Sequence, residues 1–174
     1  MADPIRHMQL ADRIKLQSIQ IVSGAINANP DIDSSDIKLY DINFESETGT
    51  NIPDNHVRIV FKVMITALGQ EDTPIDINAT YTIDYRFEVL ELESFVASTD
   101  EQTGHILLDS MLGGTLMSIV YSTTRGIILT RTQGTIIDGV ILPVIDPKTL
   151  LGITPNDNQE KESFESETSG PTKE

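Results

Sequence analysis

The chain has 174 residues, with 27 acids against 12 lysines and arginines, for a formal net charge of −15. That length makes one domain, or one domain with a tail, and is enough to bury a core. The absence of cysteine excludes disulfides and thiolate metal sites, the acidic balance argues against nucleic acid and anionic membrane surfaces as partners, and no apolar run approaches the roughly 20 residues of a membrane span.

The first stretch, MADPIRHMQLADR, lacks the apolar core of a signal peptide, so a cytoplasmic protein without membrane insertion is expected. In RIKLQSIQIVSGAIN, Ile14 and Leu16 fall in one phase of a two-residue period, and Ile19 and Ile21 in the other. That shift suggests a strand with a β-bulge. A helix over residues 10–28 is the rival, because Leu10, Ile14, Ile21 and Ala25 also fit helical spacing; the Ile and Val content and Gly24 favour the strand. NANPDIDSSD follows as a turn. DIKLYDINFESE puts Tyr40, Ile42 and Phe44 on one face of a second strand.

HVRIVFKVMITALG places Val57, Ile59, Phe61, Val63, Ile65 and Ala67 on one face. PIDINATYTIDYRFEVLELE alternates more cleanly: Ile75 through Val89 at odd positions face one way, and Asp76, Asn78, Thr80, Thr82, Asp84, Arg86 and Glu88 the other. Period two with one wet face predicts half-buried antiparallel strands. The short polar GQEDTP between them predicts a hairpin.

After Phe95 the period changes. STDEQTGHILLDSML starts with capping residues and predicts a short helix from about Glu101 to Leu112, interrupted by Gly113 and Gly114. A longer helix is predicted from Thr115 to Gln133, packing through Leu116, Val120, Thr124 and Ile127. Arg125 falls on a neighbouring face with Ser118, Tyr121 and Ser122. An extended apolar stretch, GTIIDGVILPVIDPKTLLGI, ends in a turn around Lys148 to Leu151. From Asn156 to Glu174 the one large apolar residue is Phe164, with six acids against two lysines. Such a segment cannot offset its ordering entropy, so the expected division is a domain over residues 1–155 and a disordered acidic tail over 156–174. Strands followed by helices predict an α+β fold, a four-stranded antiparallel sheet with helices packed on one face.

Chemistry is sparse in this frame. His7, His56 and His105 are scattered, so no metal site is expected and nothing calls for a cofactor. Asp76 and Asp84 share a strand face and are the pair a small carboxylate hydrolase would use, but rows of polar residues on wet strands are far commoner. No phosphate loop or nucleophile elbow is present. A non-enzyme is expected.

The order of parts resembles the SecB family of export chaperones, from about Arg13 to Leu151. The segment IVYSTTRGIILTRTQGTIIDGVILPVIDPKTLL looks like the family's long helix and the Leu- and Pro-containing stretch after it, with Tyr121, Arg125, Gly134, Leu142, Pro143 and Leu150 at matching places. RIKLQSIQIVSGAINANP looks like its first strand and turn. The resemblance implies an ATP-independent holdase. It would bind unfolded or precursor polypeptides in apolar grooves, assemble as a homotetramer or dimer, and serve export or quality control. It also implies a rival role, a dedicated chaperone guarding one antitoxin. Candidate peptide-binding residues are Tyr40, Phe44, Phe61, Phe95, Ile136 and Ile137, the last two in a loop bracketed by Gly134 and Gly139 and expected to be exposed. Tyr121 and Arg125 are candidates for the oligomer interface; a surface arginine lying along an apolar face is the other reading of Arg125. In the export family the SecA motor docks on acids of the first strand and of the sheet surface; here the other strands keep the sheet acidic. LQSIQIVSGAIN has no acid, which sets SecA apart as a doubtful partner.

Overall fold

The computed structural model describes residues 9–99 and 106–151. The acidic tail expected over 156–174 and residues 101–105 of the expected short helix lie outside them. A single helical turn, α1 (Leu10–Arg13), leads into β1 (Ile14–Ala28), so the strand reading of this region holds. β2 (Leu39–Asn51), β3 (His56–Leu68) and β4 (Pro74–Val89) complete an antiparallel sheet in the order β1-β4-β3-β2. The β3–β4 hairpin turns through Gly69 and a 3₁₀ turn at Gln70–Asp72, as the polar loop predicts.

The bulge expected in β1 is present. Pairing with β4 skips Gln17 and again Val22, and each skip restores Leu16, Ile19, Ile21 and Ile26 to the face shared with Phe87, Tyr85, Ile83 and Ala79. Gly24 is required there. A Cβ at that position would lie 2.9 Å from the Tyr81 ring, which packs across the strand pair.

The odd positions of β3 and β4 form the core, from Val57 to Ala67 and from Ile77 to Val89. They are covered by one long helix, α2 (Ser110–Thr132), through Leu112, Leu116, Met117, Val120, Tyr121, Thr124 and Ile128. Tyr85 reaches across the layer, its hydroxyl 2.6 Å from that of Thr124.

Three expectations are corrected. The short helix is not formed by Ile106–Leu108, which is β6 and pairs with β5 (Val96–Thr99) in a small ribbon. The helix begins at Ser110, capped by Asp109 accepting the Leu112 N–H at 2.7 Å, and runs straight through Gly113 and Gly114. Packing against the sheet, with Gly114 buried, outweighs a glycine cost of about 1 kcal/mol. Finally, Asp84 belongs to the expected wet row but is only 3% exposed. Arg58 closes over it, with Nε within 3.1 Å of both carboxylate oxygens and Nη2 at 3.0 Å, and Arg86 Nη2 lies at 3.6 Å. The Arg58 guanidinium holds the Asp84 carboxyl below the usual carboxylate range, against the opposing effect of burial.

Candidate functional site: a cleft between helix and edge strand

α2 lies over the centre of the sheet and leaves a cleft between itself and the edge strand β2. The alternation of β2 aims Tyr40, Ile42 and Phe44, then Ser46 and Thr48, toward this cleft, while Asp41, Glu45 and Glu47 face away. At one end the cleft is open. Ile59 and Leu116 form its floor, Ser46 and Thr48 one wall, Ile106–Leu108 of β6 the other, and Leu150 reaches in from the last turn. The groove encloses ≈450 Å³. Leu107 on its rim is 62% exposed. Apolar surface that could be covered, beside a strand edge that pairs with no further strand among the described residues, is what an extended polypeptide can use.

The other end holds an aromatic cluster. The Phe44 and Phe61 rings stack at 5.8 Å, and Tyr121 meets them edge-on at 5.5 and 6.3 Å. Burial pushes the Tyr121 phenol up, opposed by the Arg125 charge. The Tyr121 hydroxyl donates to the Pro143 carbonyl at 2.6 Å, which fixes the chain that follows the helix. That chain leaves α2 through Gly134 (φ +72) and Gly139 (φ +82), left-handed positions suited to glycine. The turn is tied by Asp138 accepting the Gly134 N–H at 3.1 Å.

The sequence-derived candidates divide accordingly. Tyr40, Phe44, Phe61 and Tyr121 gather along the cleft, and burial raises the Tyr40 phenol with help from the Asp138 charge. Phe61 has no exposed surface and serves as floor. Ile137 is 1% exposed and Ile136 half-buried, so the pair expected on the surface of a free loop is instead folded down, Ile137 fully. Phe95 stands apart, its ring 5.6 Å from the Arg13 guanidinium near the start of β1. Tyr121 turns inward. Arg125 is half-buried beside it and forms no ion pair among the described residues. Sequence reasoning missed Ile106, Leu107 and Leu108, which it assigned to a helix, Ile59 and Leu116, which read as ordinary core, and Leu150, which it placed in the last turn.

Other features offer no chemistry. Asp76 and Asp84 are eight residues apart on β4, or about 26 Å, too far to act on one bond, and Asp84 is committed to Arg58. No group of His, Asp and Glu among the described residues could hold a metal ion, and His56 is exposed. In a hollow of ≈790 Å³ lined by Ile52, Pro53, Asn55, Glu91, Glu93 and Ser94, the Ser94 hydroxyl donates to the Glu91 main-chain carbonyl at 2.7 Å rather than to a carboxylate that could activate it. No helix among the described residues is long and apolar enough to cross a membrane.

No protein-family model matches the chain, and no curated protein matches it by sequence. Among solved structures it is similar to the Mycobacterium tuberculosis SecB-like chaperone Rv1957, in complex with a ChAD peptide from the Rv1956 HigA1 antitoxin. The TM-score is 0.54 at 14% identity, covering 78% of this chain and 93% of that one. At that identity the similarity establishes the fold: a SecB-like α+β arrangement of a four-stranded antiparallel sheet and a helix.

Proposed function

We propose that the protein is an ATP-independent holdase that binds unfolded or precursor polypeptides in the cleft between α2 and β2. The observation that carries this reading is the open groove of ≈450 Å³, apolar at its floor and bounded by a free strand edge. A client strand laid there would gain apolar burial and main-chain hydrogen bonds together. The fold shared with a chaperone that holds an antitoxin peptide supports it. No nucleotide, metal or cofactor is needed for such binding, and a formal charge of −15 keeps apolar surface in solution in the expected cytoplasmic setting.

The protein is further proposed to work as a homo-oligomer, dimer or tetramer. The outer stripe of α2 (Met111, Ser118, Ser122, Gly126 and Leu129) is exposed and uncharged, and α2 carries no charges besides Arg125 and Arg131. β1 is a free edge with Leu16, Ile19 and Val22 from 38% to 56% exposed. Both features suit burial against a second copy, with Arg125 bonding carbonyls or a carboxylate of that copy. Sedimentation at micromolar concentration tests this; one-chain mass at every concentration refutes it.

A second reading, a chaperone dedicated to one antitoxin, is favoured by the peptide in the M. tuberculosis complex and by the lack of acids on β1, where docking of the SecA motor would need them. The experiment for both is suppression of client aggregation followed by light scattering without nucleotide. Protection of several unrelated unfolded clients supports the holdase, protection of a single partner the dedicated chaperone, and protection of none refutes both.

A further inference from the structure

Past Phe44, Phe61 and Tyr121 the chain itself is seated: Tyr121 bonds the Pro143 carbonyl, and Val140 and Leu142 join the core cluster that holds Phe61 and Tyr121, with Phe44 packed against it. Residues Gly139–Ile145, GVILPVI, carry no charge. After the turn at Gly139 they form neither helix nor turn and alternate in burial, with Val140 and Leu142 at 1% and 0% exposure, and Ile141 and Val144 on the outside at 56% and 83%. Yet the segment belongs to no sheet. Among the described residues its backbone bonds are one from the Val140 N–H to the Ile137 carbonyl, at 3.3 Å, and the Pro143 carbonyl's bond from Tyr121. Pro143 has no N–H to offer a ladder. The segment is therefore seated by side chains and one hydroxyl. The turn that follows it, Pro147–Leu151, delivers Leu150 to the open groove.

From this we infer that Gly139–Ile145 is an internal stand-in for a client, and that polypeptide binds by displacing it from the aromatic seat. The inference rests on the chaperone reading. An apolar segment that alternates in burial and is held without a ladder has the chemistry of the ligand proposed for the groove. Exchange swaps like for like. The apolar burial lost by Val140 and Leu142 is offset by client side chains entering the same places, whereas the Tyr121 hydroxyl bonds the Pro143 carbonyl only while the segment is seated and turns to water when it leaves. The class of ligand follows: uncharged extended segments with apolar residues at alternate positions, long enough to cover seat and groove together. The seat itself stays covered, because the client takes the place of the segment, while Val140 and Leu142 move into water.

The test compares wild type with Tyr121→Phe, using fluorescein-labelled, reduced and carboxymethylated lactalbumin as the unfolded client. Anisotropy reads affinity, and methyl NMR of Val140 and Leu142 reads whether the segment stays seated. With saturating client, both methyl sets of the wild type should move to solvent-exposed positions. Tyr121→Phe, which loosens the seat, should bind about two- to tenfold more tightly, the range of one net hydrogen bond. Methyl signals that stay buried while client is bound would overturn the displacement, as would a Tyr121→Phe variant, still folded by its spectrum, that binds no tighter than wild type. If wild type binds no unfolded client at all, the chaperone reading itself fails and takes this inference with it.

Discussion

Leu107→Ser tests the groove at its least structural point. Leu107 is 62% exposed and sits on β6 at the rim. Full burial of a leucine is worth about 1.5–3 kcal/mol. The part already buried therefore contributes roughly 0.5–1 kcal/mol to folding, and the part a client could cover about 1–2 kcal/mol to binding. At about 1.4 kcal/mol per decade, the substitution should weaken client binding roughly 5- to 30-fold while the melting temperature moves by a few degrees. Client titration by anisotropy and thermal melting on the same preparation measure both quantities. A folded variant with wild-type affinity would remove this rim from the binding surface. A variant that unfolds would show that β6 is structural rather than poised for a partner.

The loop after α2 should respond unequally at its two isoleucines. Ile137→Ser, at a site 1% exposed, should cost about 3–5 kcal/mol of stability, and Ile136→Ser, half-buried, clearly less; equal losses in chemical denaturation would contradict the geometry. Asp84→Asn should cost about 1–3 kcal/mol near neutral pH, because it leaves Arg58 without its charged acceptor. The folded-state pKa of Asp84 is depressed, so its contribution is present above the unfolded value of about 3.9 and is lost as pH falls through the lower folded value. Wild type and Asp84→Asn should therefore converge in stability as the pH is lowered from about 5 toward 2; a gap that persists would place the effect elsewhere than the Arg58 pair.

The sheet was readable because each strand's physics is local. Val57 to Ala67 and Ile77 to Val89 alternate for long enough that only a half-covered strand fits, and the phase slip in β1 marks the residues that the ladder skips. What failed to read was decided at a distance. Ile106–Leu108 is too short to carry a period, and capping residues before it suggested a helix. Gly113 and Gly114 look like a break, and only the contact of α2 with the sheet keeps the helix whole. Asp84 alternates like a wet residue; its burial comes from two arginines on two strands, 26 and 2 residues away in sequence. The cleft suffered most, since its rim lay in the misread helix and its floor is indistinguishable from core until α2 is placed.

The two edges of the sheet differ in a way that bears on the two partners proposed for them. An unprotected edge invites pairing with another chain, and charge is a common protection. β2 carries Asp41, Glu45 and Glu47 on its outer face, all exposed, so two β2 edges brought together would oppose carboxylate to carboxylate. β1 carries one charge, Lys15, and its apolar residues Leu16, Ile19 and Val22 are left only partly covered in the single chain. Its bulges at Gln17 and Val22 add twist without adding charge. Like-charge repulsion thus disfavours self-association through β2 and nothing comparable opposes it through β1. β1 is the edge suited to a second copy, which leaves β2, with the groove beside it, free for a polypeptide of another sequence.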